Sequence, residues 1–230
     1  MSMELKEIAV FRSPLKEKFG IPRQSGLVDE TEGEIVFLPQ YRNKDAVRGM
    51  EQYRYLWILW GFSANSHAAT SPVVRPPMLG GNERKGVFAT RSPYRPNAIG
   101  LSSVRIISVE GGDAGHGCGD LVIRVAGADL MDGTPIYDIK PYLEYTDCHV
   151  GAGNGFTKTD DRPLEIRNGE MLAPTGVHSA TVSRLLSLDP RPRYHDDPER
   201  VYGMRYDRWN IRFRVDGDVL TIVDCEKTHQ

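Results

Sequence analysis

The chain has 230 residues, 40% of them apolar and 26% charged, and a formal net charge of −2. This composition excludes a disordered chain and a repetitive fibre, and a chain of this length can bury a core without disulfides or metal. Its longest apolar run, residues 55–62, falls short of the about 20 residues a membrane-spanning helix needs.

The chain starts Met1-Ser-Met-Glu-Leu-Lys-Glu7, without the basic-then-apolar layout of a secretion signal. Ile8–Phe11 reads as a strand closed by Pro14, and Glu34–Leu38 as a second closed by Pro39. Asp45–Glu51 is expected to form one or two helical turns capped by Asp45. Tyr55–Phe62 is apolar on both faces, as an interior strand is. Gly86–Thr90, Leu101–Val109, Leu121–Val125 and Pro135–Ile139 are the remaining strands of this part. Many short strands divided by Gly and Pro turns predict a mainly β domain, a barrel or a sandwich, over residues 5–145. Residues 146–175 carry Gly151-Ala-Gly-Asn-Gly155 and few large apolar side chains, and are expected to be a linker or excursion. Residues 176–230 predict a small α+β domain. Val177–Leu188 has a helical period, and Ile211–Val215 and Val219–Val223 flank the hairpin signal Asp216-Gly-Asp218. Cys118, Cys148 and Cys225 lie far apart with no C-x-x-C pair. They read as reduced thiols of a cytoplasmic protein, and no metal site is expected.

Charge is sorted along the chain. Arg75, Arg84, Lys85, Arg91 and Arg95 stand against Glu83 alone, and residues 184–214 hold eight arginines, no lysine and five acids. Residues 110–147 are strongly acidic. Such sorting suits a polyanion partner; it also suits solvated faces with local ion pairs. The preference for arginine favours phosphate or base contacts. Residues 74–100 add stiffness to charge, with Pro76, Pro77, Pro93 and Pro96 along the path. Rigid loops displaying polar groups are typical of binding sites; the other reading is a well-ordered structural loop. The glycine clusters 111–119 and 151–155 do not join an early strand to a helix, so no Rossmann-type nucleotide site is expected.

The segment Arg75-Pro-Pro-Met-Leu-Gly-Gly-Asn82 followed by Ala89-Thr-Arg-Ser-Pro-Tyr-Arg-Pro-Asn97 resembles the TsaA-like family of S-adenosylmethionine-dependent tRNA methyltransferases. The likeness extends to Phe11-Arg-Ser-Pro14, Gly20–Gly26, Leu56–Leu59, Asp129-Leu-Met-Asp-Gly-Thr-Pro135 and Asp138-Ile-Lys-Pro-Tyr142. It is continuous over roughly 5–143 and patchy after 185, where Asp189-Pro-Arg-Pro192 and Asn210–Val215 match. The resemblance implies a single-sheeted β-barrel, neither Rossmann-like nor knotted. It implies a cofactor site at Pro22, Arg23, Gln24, Ser63, Ala64, Arg91, Leu101, Asp129, Leu130, Met131 and Asp132. Arg23 or Arg91 can fork the cofactor's carboxylate, Asp129 or Asp132 can accept from its ribose or ammonium, and Leu101, Leu130 and Met131 can flank its adenine. Ser63 stands where many members have His, with His67 a possible substitute. The implied acceptor is N6-threonylcarbamoyladenosine next to the tRNA anticodon. Asp138, Lys140 and Asn97 are the candidates for catalysis and acceptor positioning, and Arg75, Arg84, Arg95, Arg191 and Arg193 for tRNA contact. A homodimer is implied as well. Rival readings are another RNA or small-molecule acceptor, and a non-catalytic RNA-binding protein. Cofactor titration and nucleoside mass analysis separate them.

Overall fold

The computed structural model describes residues 4–65, 71–76, 79, 83–111, 120–157, 162–192 and 197–228. In chain order the strands are β1 (Ala9–Arg12), β2 (Glu32–Phe37), β3 (Tyr55–Gly61), β4 (Val73–Val74), β5 (Lys85–Gly86), β6 (Ile99–Glu110), β7 (Val122–Ala126), β8 (Pro135–Pro141), β9 (Glu165–Arg167), β10 (Tyr202–Tyr206), β11 (Trp209–Asp216) and β12 (Val219–Lys227). Among the described residues two α-helices, α1 (Glu144–Asp147) and α2 (Ser179–Ser187), accompany them. No helix among the described residues is long and apolar enough to cross a membrane.

The chain folds as two compact units. One holds Met1–Pro14, Arg23–Ala69 and Pro93–Gly151; the other holds Leu15–Pro22, Thr70–Ser92 and Ala152–Gln230. In the first, six antiparallel strands close into a barrel in the order β1-β2-β7-β6-β3-β8. Period-two alternation sends Phe11, Ile35, Phe37, Leu56, Ile58, Trp60, Val104, Ile123, Val125 and Ile136 inward, where they fill the interior. Burying each such side chain contributes about 1.5–3 kcal/mol. Closure leaves the sheet no free edge. Gly100 is needed where it stands, because a Cβ there would lie 2.3 Å from the Trp60 indole.

The second unit has the sheet β10-β11-β12-β9 and the small ladder β4-β5. Tyr202, Met204, Ile211, Phe213, Leu220 and Ile222 are its buried strand positions, with Val182, Leu185 and Leu186 of α2. Phe19 stacks on Tyr202 and Phe213, with ring centroids 6.4 and 6.3 Å away.

Three local expectations change. Gly86–Thr90 is a strand only at Lys85–Gly86; Val87–Ala89 is a 3-10 turn, closed by the Thr90 hydroxyl donating to the Val87 carbonyl at 2.9 Å. Asp45–Glu51 is two 3-10 turns, because Gly49 at φ 87° interrupts the path. The first is capped by the Asn43 side chain, which accepts from the Asp45 amide, while Asp45 pairs with Arg48. Within the segment expected as a linker, β9 pairs in parallel with β12, and 3-10 turns over Gly169–His178, broken at Gly176 (φ 63°), lead into α2.

Candidate active site

Strand direction gathers the barrel's connections at its two ends. Going round the barrel the strands alternate, so β1, β3 and β7 finish at the same rim where β2, β6 and β8 begin. Three stretches of sequence far apart in number therefore meet there: the start of β2 with the turn before it, residues 61–65 with 93–100, and residues 127–134. Arg23, Gln24, Ser63, Ala64, Arg95, Asn97, Leu101, Asp129, Leu130, Met131 and Asp132 all lie on these stretches or at the strand ends beside them.

Backbone and side-chain bonds fix the rim. The Gly26 amide donates to the Gly127 carbonyl at 2.8 Å, joining the turn before β2 to the one after β7. The Ser13 amide donates to Asp132 Oδ1 at 3.0 Å. Asn65 donates its side-chain amide to the Pro93 carbonyl at 3.0 Å, and the Phe62 amide bonds the Ala98 carbonyl at 2.8 Å. The Ser63–Ala64 turn is thereby tied to the proline-stiffened loop. Ala98 takes φ 47°, the left-handed region that costs an L-residue about 1–2 kcal/mol. That strain sits between Asn97 and the start of β6.

Beneath the rim runs a buried relay. The Trp60 indole donates to Ser102 Oγ at 2.9 Å, and the Ser102 hydroxyl donates to Asp129 Oδ1 at 2.6 Å. Ser102 is 2% exposed, so this hydroxyl both satisfies a core indole and aims a half-buried carboxylate at the rim. Leu130 is fully buried in the barrel core, so its side chain packs inward and does not flank a ligand; only its backbone is available.

On the outer wall of β3, β6 and β8 is a pocket of about 290 Å³ lined by Trp57, Leu59, Leu101, Asp138, Ile139 and Lys140. It brings together three of the expected residues, Leu101, Asp138 and Lys140. The β3–β8 ladder skips Tyr137, since Leu59 opposes Asp138 and Trp60 opposes Ile136. Such irregularities re-aim side chains. Gly61 leaves room for the Tyr137 ring that results, 2.6 Å from where a Cβ would stand. Asp138 Oδ1 accepts from the Ile139 amide at 2.9 Å. Trp57 donates its indole N–H to Asp147 Oδ2 at 2.8 Å, and the Leu143 amide donates to the same oxygen at 3.0 Å. The Leu143 amide first, then the Trp57 indole, hold the Asp147 carboxyl below the usual carboxylate range. The Tyr142 ring lies 5.5 Å from Trp57, and its phenol is raised by desolvation, then by the neighbouring Cys148 and Asp147.

The other expected residues are placed differently. Pro22, Arg75, Arg84, Arg91 and Arg191 belong to the second unit. Arg75, Arg84 and Arg91 are exposed. Arg191 is 12% exposed at its side chain and forks both oxygens of Asp189 at 2.9 and 3.0 Å. Arg193 and His67 lie outside the described residues. Asn65, Trp57, Ser102 and Asp147 were not singled out in the sequence. The only signal for Ser102 is a hydroxyl inside an apolar alternation, and Asp147 sits in a stretch with no pattern.

A closed six-stranded antiparallel barrel, with connections gathered at one rim and a pocket on its wall, places the chain among closed β-barrel proteins rather than doubly wound ones. Residues 10–148 match the model of the tRNA-methyltransferase O N-terminal domain, and residues 170–228 match that of the TrmO C-terminal domain. The chain belongs to the tRNA-methyltransferase O family. It is 37% identical over 227 residues to the tRNA (adenine(37)-N6)-methyltransferase of Escherichia coli K12, covering 93% of this chain and 94% of that one. A protein of the same name from Eikenella corrodens is 40% identical over 175 residues, 74% of this chain and 95% of the relative. An S-adenosyl-L-methionine-binding protein described as probable, from Methanothermobacter thermautotrophicus, is 36% identical over 147 residues, 64% of this chain and 95% of its own length. Among solved structures, TrmO from Pseudomonas aeruginosa superposes with a TM-score of 0.78 at 30% identity, covering 99% of this chain and 98% of that one.

Proposed function

We propose that the chain is an S-adenosylmethionine-dependent methyltransferase acting on N6 of adenosine 37 in tRNA, and that the adenosine already carries a threonylcarbamoyl group. The observation that carries this reading is the meeting of the expected cofactor segments at one barrel rim, with the Ser102–Asp129 bond aiming a carboxylate there. The donor set suits the cofactor's chemistry. Asp129 accepts from hydroxyl or ammonium groups, the exposed Arg23 pairs with a carboxylate, and Met131 and Leu101 give apolar cover. When bound, the cofactor supplies a methyl group activated on a sulfonium.

The chain's own residues orient the acceptor and handle its proton. A carbamoylated N6–H is more acidic than a plain exocyclic amine, so a strong base is not required. Asp138, exposed on the pocket wall, accepts that proton late, and Asn97 donates to the acceptor from the loop fixed by Ala98 and Phe62. Holding the two reactants aligned and dry accounts for most of the rate. The exposed Arg75 and Arg84 contact tRNA phosphates. By the same reading the enzyme is a cytoplasmic homodimer, which sedimentation tests as a species of twice 25.8 kDa.

The test is mass analysis of tRNA nucleosides after incubation with protein and cofactor. One added methyl on threonylcarbamoyladenosine is expected. Arg23→Ala is expected to weaken cofactor binding by calorimetry, and an unchanged affinity removes Arg23 from the site.

A further inference from the structure

The pocket on the barrel wall holds the two charges that an N6-substituted adenine with an acidic tail requires, two residues apart on one strand. Asp138 and Lys140 face outward from β8, both exposed, and line the same pocket. Alternate residues on a strand stand roughly 7 Å apart. In threonylcarbamoyladenosine, N6 is joined to the carboxylate carbon by four bonds, a span of about 5 Å by ordinary bond lengths. A carboxylate at Asp138 that meets N6–H and an ammonium at Lys140 that meets the tail therefore match the acceptor in sign and spacing.

The wall between them is suited to a base. Trp57 opposes Lys140 across the β3–β8 ladder, and Leu59 opposes both Asp138 and Leu101. The indole does not need to be ordered on binding. Asp147 holds its N–H, and the Tyr142 ring lies 5.5 Å away. Pre-set aromatic faces are the usual means of reading an unstacked base. At about 290 Å³ the pocket is at the small end of the roughly 300–1,000 Å³ of small-ligand sites, room for a base and a short tail rather than a whole nucleoside cofactor.

We infer that this pocket is the acceptor subsite, in which the adenine stacks on Trp57 and Lys140 pairs with the carboxylate of the threonylcarbamoyl tail. The inference rests on the proposed acceptor and makes Lys140 the residue that selects the modified adenosine over the unmodified one. Asp147 acts through Trp57 as a positioning residue.

The experiment uses the full chain and two anticodon stem-loop RNAs, one bearing threonylcarbamoyladenosine at position 37 and one bearing its neutral methylamide. Binding is read by fluorescence anisotropy and methyl transfer by mass. The wild type is expected to bind the carboxylate RNA about tenfold more tightly than the amide. Lys140→Met should bring that ratio close to one, and Lys140→Arg should restore most of it. Trp57→Leu should weaken both RNAs alike. Asp147→Asn, which keeps an acceptor for the indole, should bind better than Asp147→Ala. A wild type that binds the two RNAs equally overturns the inference, as does a preference that survives Lys140→Met. Methyl transfer with a preference independent of Lys140 removes the subsite and leaves the reaction standing. A Lys140-dependent preference with no methyl transfer removes the reaction and leaves the subsite.

Discussion

Ser102 is the side chain on which core and rim both depend. Its hydroxyl accepts from the Trp60 indole inside the barrel and donates to Asp129 outside it. Ser102→Ala leaves a buried indole N–H without an acceptor and takes one hydrogen-bond donor from Asp129. An unsatisfied buried donor costs about 1–3 kcal/mol, so denaturant unfolding should show a loss of that size. Calorimetry should show weaker cofactor binding from the same variant. Equal stability with weaker binding would mean that Trp60 finds another acceptor. Neither role can be read from the sequence, where the one signal, a hydroxyl inside an apolar alternation, is shared by the adjacent Ser103. The neighbouring Gly100 is legible only afterwards, once the Trp60 indole is seen to fill the space over it.

One carboxylate ties the short helix α1 to the barrel wall, beside the backbone bonds of the turn itself. Asp147 accepts from the Leu143 amide and the Trp57 indole, and its folded pKa lies below the usual value, with the charges of Lys140 and His149 adding to the shift. The sign follows directly. The contribution is complete above the ordinary carboxylate range and is lost as pH falls through the depressed folded value. The Trp57 indole N–H resonance should therefore stay fixed while ordinary carboxylates titrate and move only at lower pH. Asp147→Asn should remove that transition. Movement within the ordinary carboxylate range would show that the two hydrogen bonds do not hold the group. Elements of this kind are where sequence reading weakens. The barrel strands were legible because alternation and Gly/Pro breaks are local signals: Gly86–Thr90 apart, which is no barrel strand, each expected strand ends within two residues of the observed one. β9 was not, because three residues gain strand structure only from parallel pairing with β12, more than 50 positions away. The one or two helical turns expected at 45–51 are two separate 3-10 turns, and the left-handed Gly49 between them leaves no periodic trace.

For the whole molecule, what the sequence hid is the strand order. Order β1-β2-β7-β6-β3-β8 brings residues 23–24, 63–64, 97–101 and 129–132 to one rim, and no spacing in the chain encodes that. Motif likeness supplied those residues without the geometry, and it could not tell a surface arginine from a committed one. Arg84 is exposed, whereas Arg191 is forked onto Asp189, itself at φ 51° just after α2. A phosphate contact contributes one released counterion, so losing it lowers the slope of log affinity against log salt by about 1. Arg84→Ala should therefore weaken tRNA binding and flatten that slope by about 1, with unfolding unchanged. Arg191→Ala should leave the slope as in the wild type and lower stability by roughly 1–2 kcal/mol, the loss of a charge-assisted bidentate bond. Filter binding across a salt series, set beside denaturant unfolding of the same two variants, separates the two roles. A flattened slope for Arg191→Ala would mean that tRNA draws the guanidinium away from Asp189.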